Sequence, residues 1–257
     1  MKTRHLITIF LIVASCFGLE AQDKQLTKNE KIGIDNLKEN VTYKRKEAVA
    51  KQIKYPLIRC GYFKYAITSQ KDFVNSFDII FDTKQIQEFR TAQWEYIFFP
   101  SFECYSLQGD GYVGEFNNDG KLILSGIPLS ESEMRYIQSL IEKEKMTLHP
   151  SIRNYKEPKY LIYAGKYRIR IDRMPDDTLR YCSWNKDAAI SAEPDLVIYG
   201  GEECCTQWGN SIIFNNGEYE YTLEDFGLSE GAIFSVSKNG TEILVIEEGI
   251  SISHYYI

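Results

Sequence analysis

From residue 167 onward, short alternations of apolar and polar residues are separated by turn signals at close intervals, and this pattern confines the stretch to an antiparallel meander. Tyr167, Ile169 and Ile171 alternate with Arg168, Arg170 and Asp172, as expected of a strand with one face buried and the other wet. Pro175-Asp176 turns the chain into a segment at 179–184, and another follows at 195–199. Segments 212–214 and 219–223 flank Asn215-Asn216-Gly217, while 232–237 and 241–246 flank Asn239-Gly240. Asn-Gly pairs tolerate the positive φ of tight hairpin turns. The spacing leaves no room for long helices, so residues 158–257 are expected to form a sandwich or small barrel.

The preceding part reads differently. Residues 22–42 are rich in Lys, Glu and Asn, which predicts a flexible leader, with a helix around 43–53 that Pro56 stops. Ser69 with Asp72 marks a helix start, and Phe73, Phe77, Ile80 and Phe81 fall on one face behind it. A shorter helix is expected over 83–92, followed by strands at 96–99, 102–107, 112–116 and 121–125. Ser130 with Glu133 is a capping-box pair opening a helix to about 146. Residues 43–148 thus predict helices on a small antiparallel sheet, and the fold class of the chain is α+β. His149-Pro150 to Glu157-Pro158, short and broken by two prolines, is the expected domain boundary.

The N-terminus carries Lys2 and Arg4 before an apolar run of about 13 residues, too short to span a bilayer. That is the pattern of a bacterial secretion signal, read here as residues 1–21 with cleavage after Ala21. Val13-Ala14-Ser15-Cys16 offers a competing lipobox in which Cys16 is acylated. The expected product is periplasmic or secreted, or lipid-anchored to the envelope in the alternative, with no transmembrane segment. Removing Lys2, Arg4 and Glu20 takes the formal charge from −6 to −7. So acidic a chain is a poor partner for phosphate backbones, which sets nucleic acid aside.

Five cysteines remain: Cys60, Cys104, Cys182, Cys204 and Cys205. In an oxidising envelope, Cys182 with Cys204 or Cys205, and Cys60 with Cys104, are the pairings to expect. Buried apolar thiols are the competing reading. No pair of cysteines has zinc-ligand spacing, and only His149 and His254 are available as imidazole bases, so neither a metal nor a cofactor is expected. Asp172 with Asp176 or Asp177, or Glu202 with Glu203, would serve glycoside hydrolysis only if folding set two carboxylates about 5–10 Å apart. Aromatics are the more suggestive feature. Trp184 and Trp208 fall within the turn-rich part and are the binding candidates, since Trp on a rigid β scaffold suits sugars and protein hot spots. Aromatics also fill β cores.

Two stretches carry a resemblance. Ile53-Lys54-Tyr55-Pro56-Leu57 with Lys71-Asp72-Phe73 and Ile79-Ile80-Phe81-Asp82, and Arg180-Tyr181-Cys182-Ser183-Trp184 with Pro194-Asp195-Leu196-Val197-Ile198 and the 213–221 segment, resemble a group of exported bacterial cell-envelope proteins with a β-rich C-terminal module. The resemblance implies compartment and architecture and transfers no activity. The functional expectation is a non-enzymatic binding or inhibitor/immunity-type module for a protein or glycan partner. The alternatives are a carboxylate-dependent hydrolase acting on glycan and a structural envelope component.

Overall fold

A computed structural model describes residues 24–99, 104–206, 209–226 and 231–254. The secretion signal, the Cys16 lipobox and Trp208 lie outside the described residues, as does the side chain of Cys205. The fold is α+β and mostly β: helices precede a small antiparallel sheet, and a large curled antiparallel sheet of nine strands follows. Among the described residues no helix is long and apolar enough to cross a membrane.

The chain divides into two compact units, each built from two stretches. One holds the described residues up to Lys54 together with Ile86–Pro128; the other holds Tyr55–Gln85 together with the chain from Leu129 onward. These are not the units that a boundary at 149–157 implies. Ile152 and Tyr155 inside that supposed linker are buried core residues, and a short 3-10 helix spans Pro150–Ile152.

In the first unit, the segment expected to be a flexible leader is helix α1, Lys28–Thr42. Thr27 and Glu30 close a capping box at its start, and Ile34, Leu37 and Val41 bury one stripe. Three apolar residues at spacings of three and four are enough once a sheet covers them. The helix expected at 43–53 shrinks to α2, Lys46–Ala50. Strands β3 (Trp94–Phe99), β4 (Cys104–Gly109), β5 (Tyr112–Phe116) and β6 (Leu122–Gly126) pair in chain order as an antiparallel meander. Phe89, at the end of helix α4 (Thr83–Thr91), meets Tyr112 edge-on at 4.7 Å. Gly109 lets Trp94 lie flat on the sheet, for a Cβ there would sit 2.6 Å from the indole.

The second unit opens with the hairpin β1 (Leu57–Cys60) and β2 (Tyr65–Ile67), then α3 (Gln70–Ile80), capped by Ser69 as its sequence predicts. Helix α5, Glu131–Thr147, follows its Ser130–Glu133 capping box. The nine strands are β7 (Glu157–Ala164), β8 (Tyr167–Arg173), β9 (Leu179–Asn185), β10 (Leu196–Thr206), β11 (Gly209–Asn216), β12 (Tyr219–Asp225), β13 (Ala232–Lys238), β14 (Thr241–Ile246) and β15 (Ser251–His254). Neighbours run β14-β13-β12-β11-β10-β9-β8-β7-β15, so β14 and β15 are the two edges. Long β10 pairs β9 along its first half and β11 along its second, which is how one sheet curls. Asn239 (φ 50°) and Gly240 (φ 74°) give the β13–β14 turn the paired positive φ of a tight hairpin. The concave face buries Ile162, Ile169, Ile171, Tyr181, Phe214, Leu223 and Phe234.

The other face of β8 and β9 is not wet, contrary to the expectation from alternation. Arg168, Arg170, Asp172 and Arg180 are all buried. Ionised groups leave water only when paired and hydrogen-bonded, and Asp172 of β8 itself, Tyr62 in the β1–β2 turn and Glu144 of α5 supply the partners of Arg170. Arg170 donates to Asp172 at 2.6 Å, to the Tyr62 hydroxyl at 2.6 Å and to Glu144 at 3.0 Å. That shared chemistry explains why 55–85 and α5 belong with the β-rich sheet.

Candidate functional site

The residues singled out by sequence fall into three groups. Trp184 is 1% exposed, its indole N–H donates to the Ala192 carbonyl at 3.0 Å, and the Arg168 guanidinium lies 5.0 Å from its ring centre. It is a core residue and offers no exposed platform, which corrects its reading as a binding aromatic.

Asp172, Asp176, Asp177 and Glu203 are each engaged by partners of their own. Asp172 is fully buried and accepts from Arg170 Nε at 2.6 Å and from Arg180 Nη2 at 2.7 Å, so both its oxygens are engaged by cations. Asp176 accepts from the Thr178 hydroxyl at 2.7 Å and its amide at 3.1 Å, shaping the turn before β9. Asp177 pairs with Lys156 at 2.6 Å, and Glu203 pairs with Lys159 at 2.7 Å and Arg173 at 3.3 Å. Hydrogen bonds and these cations hold the Asp176 and Asp177 carboxyls below their ordinary range. A general acid needs the opposite shift. Among the described residues no group of His, Cys, Asp and Glu has the geometry to hold a metal ion. His149 bonds the Ser151 hydroxyl in its own turn at 2.8 Å.

The expected disulfides do not form: Cys60, Cys104 and Cys182 are free thiols. Cys60 is buried beside Tyr62 and Ile137, whereas Cys104 is exposed on β4. Cys182 is buried in a cluster with Trp184, and burial pushes its thiol up to about 12. Cys182 faces Val197 on β10, and Cys204 lies seven residues further along that strand. At about 3.3 Å per residue that is roughly 20 Å, beyond the reach of a disulfide.

What the strands do converge is tyrosine. Tyr167 begins β8, Tyr181 lies on β9, and Tyr219 and Tyr221 lie on β12, each at a position whose side chain points to the concave face. Together with Ser183, Asp195, Val236 and Leu244 they line an open concavity of about 460 Å³. Tyr181 forms its floor: its ring is 5.4 Å from Tyr221, 5.6 Å from Phe214 and stacked on Phe234 at 6.4 Å. Burial drives the Tyr181 hydroxyl above its ordinary range, so the group stays a neutral donor. Tyr167, Tyr219 and Tyr221 are half-buried, presenting ring surface without being sealed. Lys166 sits 5.3 Å above the Tyr167 ring and Lys238 5.1 Å above Tyr219, so two cations border the mouth. Asp195 is fixed there by accepting from the Asn185 amide at 3.0 Å and donating its own amide to Ser183.

Such a wall suits ligands with flat apolar faces edged by hydroxyls or amides, since each tyrosine pairs an apolar ring with a polar tip. In the first unit a polar recess of about 710 Å³ is lined by Asn29, Asn36, Asn40 and Asn118, with Ile32 as its large apolar residue. It lacks the aromatic wall. The tyrosines carried one usable signal in sequence: Tyr219, Tyr221 and Leu223 share parity, as do Tyr167, Ile169 and Ile171. No family model matches the chain, and no curated protein or solved structure is significantly similar to it.

Proposed function

We propose that the chain is an exported cell-envelope protein without catalytic activity that holds a protein or glycan partner in the tyrosine-lined concavity of its β-rich unit. One observation carries this reading: four tyrosines from three strands converge on a single open concavity of about 460 Å³. The export part rests on the N-terminal charge and apolar pattern, and on the resemblance to envelope proteins. The hydrolase alternative loses its support because Asp172 is committed to two arginines.

Changing Tyr219 and Tyr221 together to Ala tests the site. Aromatic anchors at the centre of an interface are each worth about 2 kcal/mol or more. Immobilised wild-type protein is therefore expected to retain an envelope component that the double variant releases at least about 30-fold more readily. Equal retention by a double variant with unchanged circular dichroism would refute the assignment.

A further inference from the structure

Strand β14 is an open edge: its inner side pairs with β13, and among the described residues no ladder forms along its outer side. Ile243 is 56% exposed and Val245 38% exposed, while at the end of the strand Ile246 reaches the β7–β8 turn, where a Cβ on Gly165 would sit 3.5 Å from its Cδ1. The register slips at a bulge between Val236 and Ser237, so that Ile243 and Leu244 both line the concavity, and on either side of it the two faces carry opposite chemistry. Leu244 opposite Val236 and Ile246 opposite Phe234 point into the concave face, and Ile243 and Leu244 line the tyrosine concavity. Glu242 opposite Ser237 and Val245 opposite Ser235 point the other way, onto an outer groove that also holds Glu224, Glu247 and Glu248. Among the described residues none of these four carboxylates has a cation within ion-pair distance.

A strand laid along β14 would complete its backbone hydrogen bonds while sending alternate side chains to the two faces. On one side they would meet tyrosine and leucine, on the other unpaired carboxylates. A second copy docked β14 to β14 is the wrong occupant, because that pairing would set glutamates against glutamates. The same acidic face protects the edge from self-association.

We infer that an extended segment of a partner protein, alternating apolar residues with Lys or Arg, adds to β14 as a tenth strand, its apolar side chains filling the tyrosine concavity and its cations facing Glu224, Glu242, Glu247 and Glu248. This rests on the binding reading above and names the partner as a protein.

The test is a library of nine-residue peptides with Lys or Arg fixed at alternate positions and apolar residues varied between them, presented to the full exported chain. Selected members are expected to bind and to slow amide exchange within Thr241–Ile246. N-methylation of alternate backbone amides, which leaves side chains in place, should weaken binding at least tenfold. Glu242→Lys with Glu247→Lys should do the same without altering the melting temperature. No binder tighter than about 1 mM, binding that survives N-methylation or charge reversal, or protection away from β14 would overturn strand addition. If the tyrosine double variant still loses its envelope component in that case, the concavity stands as a binding site and only strand addition falls.

Discussion

Replacing Asp172 with Ala is expected to cost the β-rich unit about 3–5 kcal/mol, the figure for removing one partner from a buried ionic network. Asp172 and Arg180 stand opposite each other on β8 and β9, and Arg170 lies two residues along on the same face. Without the carboxylate, two guanidiniums stay buried side by side with their shared anion gone. Arg170 keeps Glu144 and Tyr62, and its charge also lies 4.6 Å from the Tyr155 ring centre. Arg180 keeps neutral partners, among them the carbonyls of Ile152 at 2.7 Å and Asn154 at 3.1 Å. Burial works against the charge of Arg170, yet Asp172, Tyr62 and Glu144 hold it protonated, well above the ordinary range. A guanidinium is too basic to escape the loss by becoming neutral. Unfolding in urea should show the full loss for Asp172→Ala, with a melting temperature lower by roughly 10 °C or more. A triple apolar replacement of Arg170, Asp172 and Arg180 should recover most of it, since the cost lies in the orphaned charges. A loss below about 1 kcal/mol would show that the arginines reach water and that the network is not sealed.

Glu133→Ala is expected to be of similar size for a related reason. Arg59 on β1 donates Nε to Glu133 Oε1 at 2.7 Å and Nη2 to Oε2 at 2.5 Å, a bidentate pair with both side chains buried. The same carboxylate accepts from the Ser130 amide at 3.2 Å and so forms half of the capping box that starts α5. Alanine would remove the counter-ion and the cap together, about 3–5 kcal/mol from the first and about 1 from the second. Arg59→Met in the Glu133→Leu background should restore the ionic part but leave the cap deficit. If the single and double variants melt alike, the pair contributes nothing net and the cap alone explains the glutamate.

These two networks are also where local reasoning reached its limit. Alternation correctly sorted Arg168, Arg170 and Asp172 from Ile169 and Ile171, but it reports faces, not what covers them. The cover for Arg170 comes from Tyr62, 108 residues earlier. Capping boxes and Asn-Gly turns are complete within a few residues, so α3, α5 and the β13–β14 hairpin were legible directly. Helix α1 was missed because three apolar residues in a charged segment look like a leader until a sheet covers them. Trp184 drew the functional reading because an exposed tryptophan on a rigid β scaffold suits sugars and protein hot spots, but a strand buried on both faces took it into the core. Tyr167, Tyr181, Tyr219 and Tyr221 meet only through the curl of a nine-stranded sheet, which no single strand encodes.

The most direct test of the tyrosine concavity is nitration of the protein by tetranitromethane, mapped by mass spectrometry, before and after it has bound the partner that the proposal assigns to it. Tyr43 and Tyr199, 67% and 57% exposed, serve as internal references. The account predicts that bound partner suppresses nitration of Tyr167, Tyr219 and Tyr221 several-fold and leaves Tyr43 and Tyr199 reactive. Undiminished nitration of those three tyrosines in the bound protein, with protection falling on Tyr43 or Tyr199 instead, would contradict it.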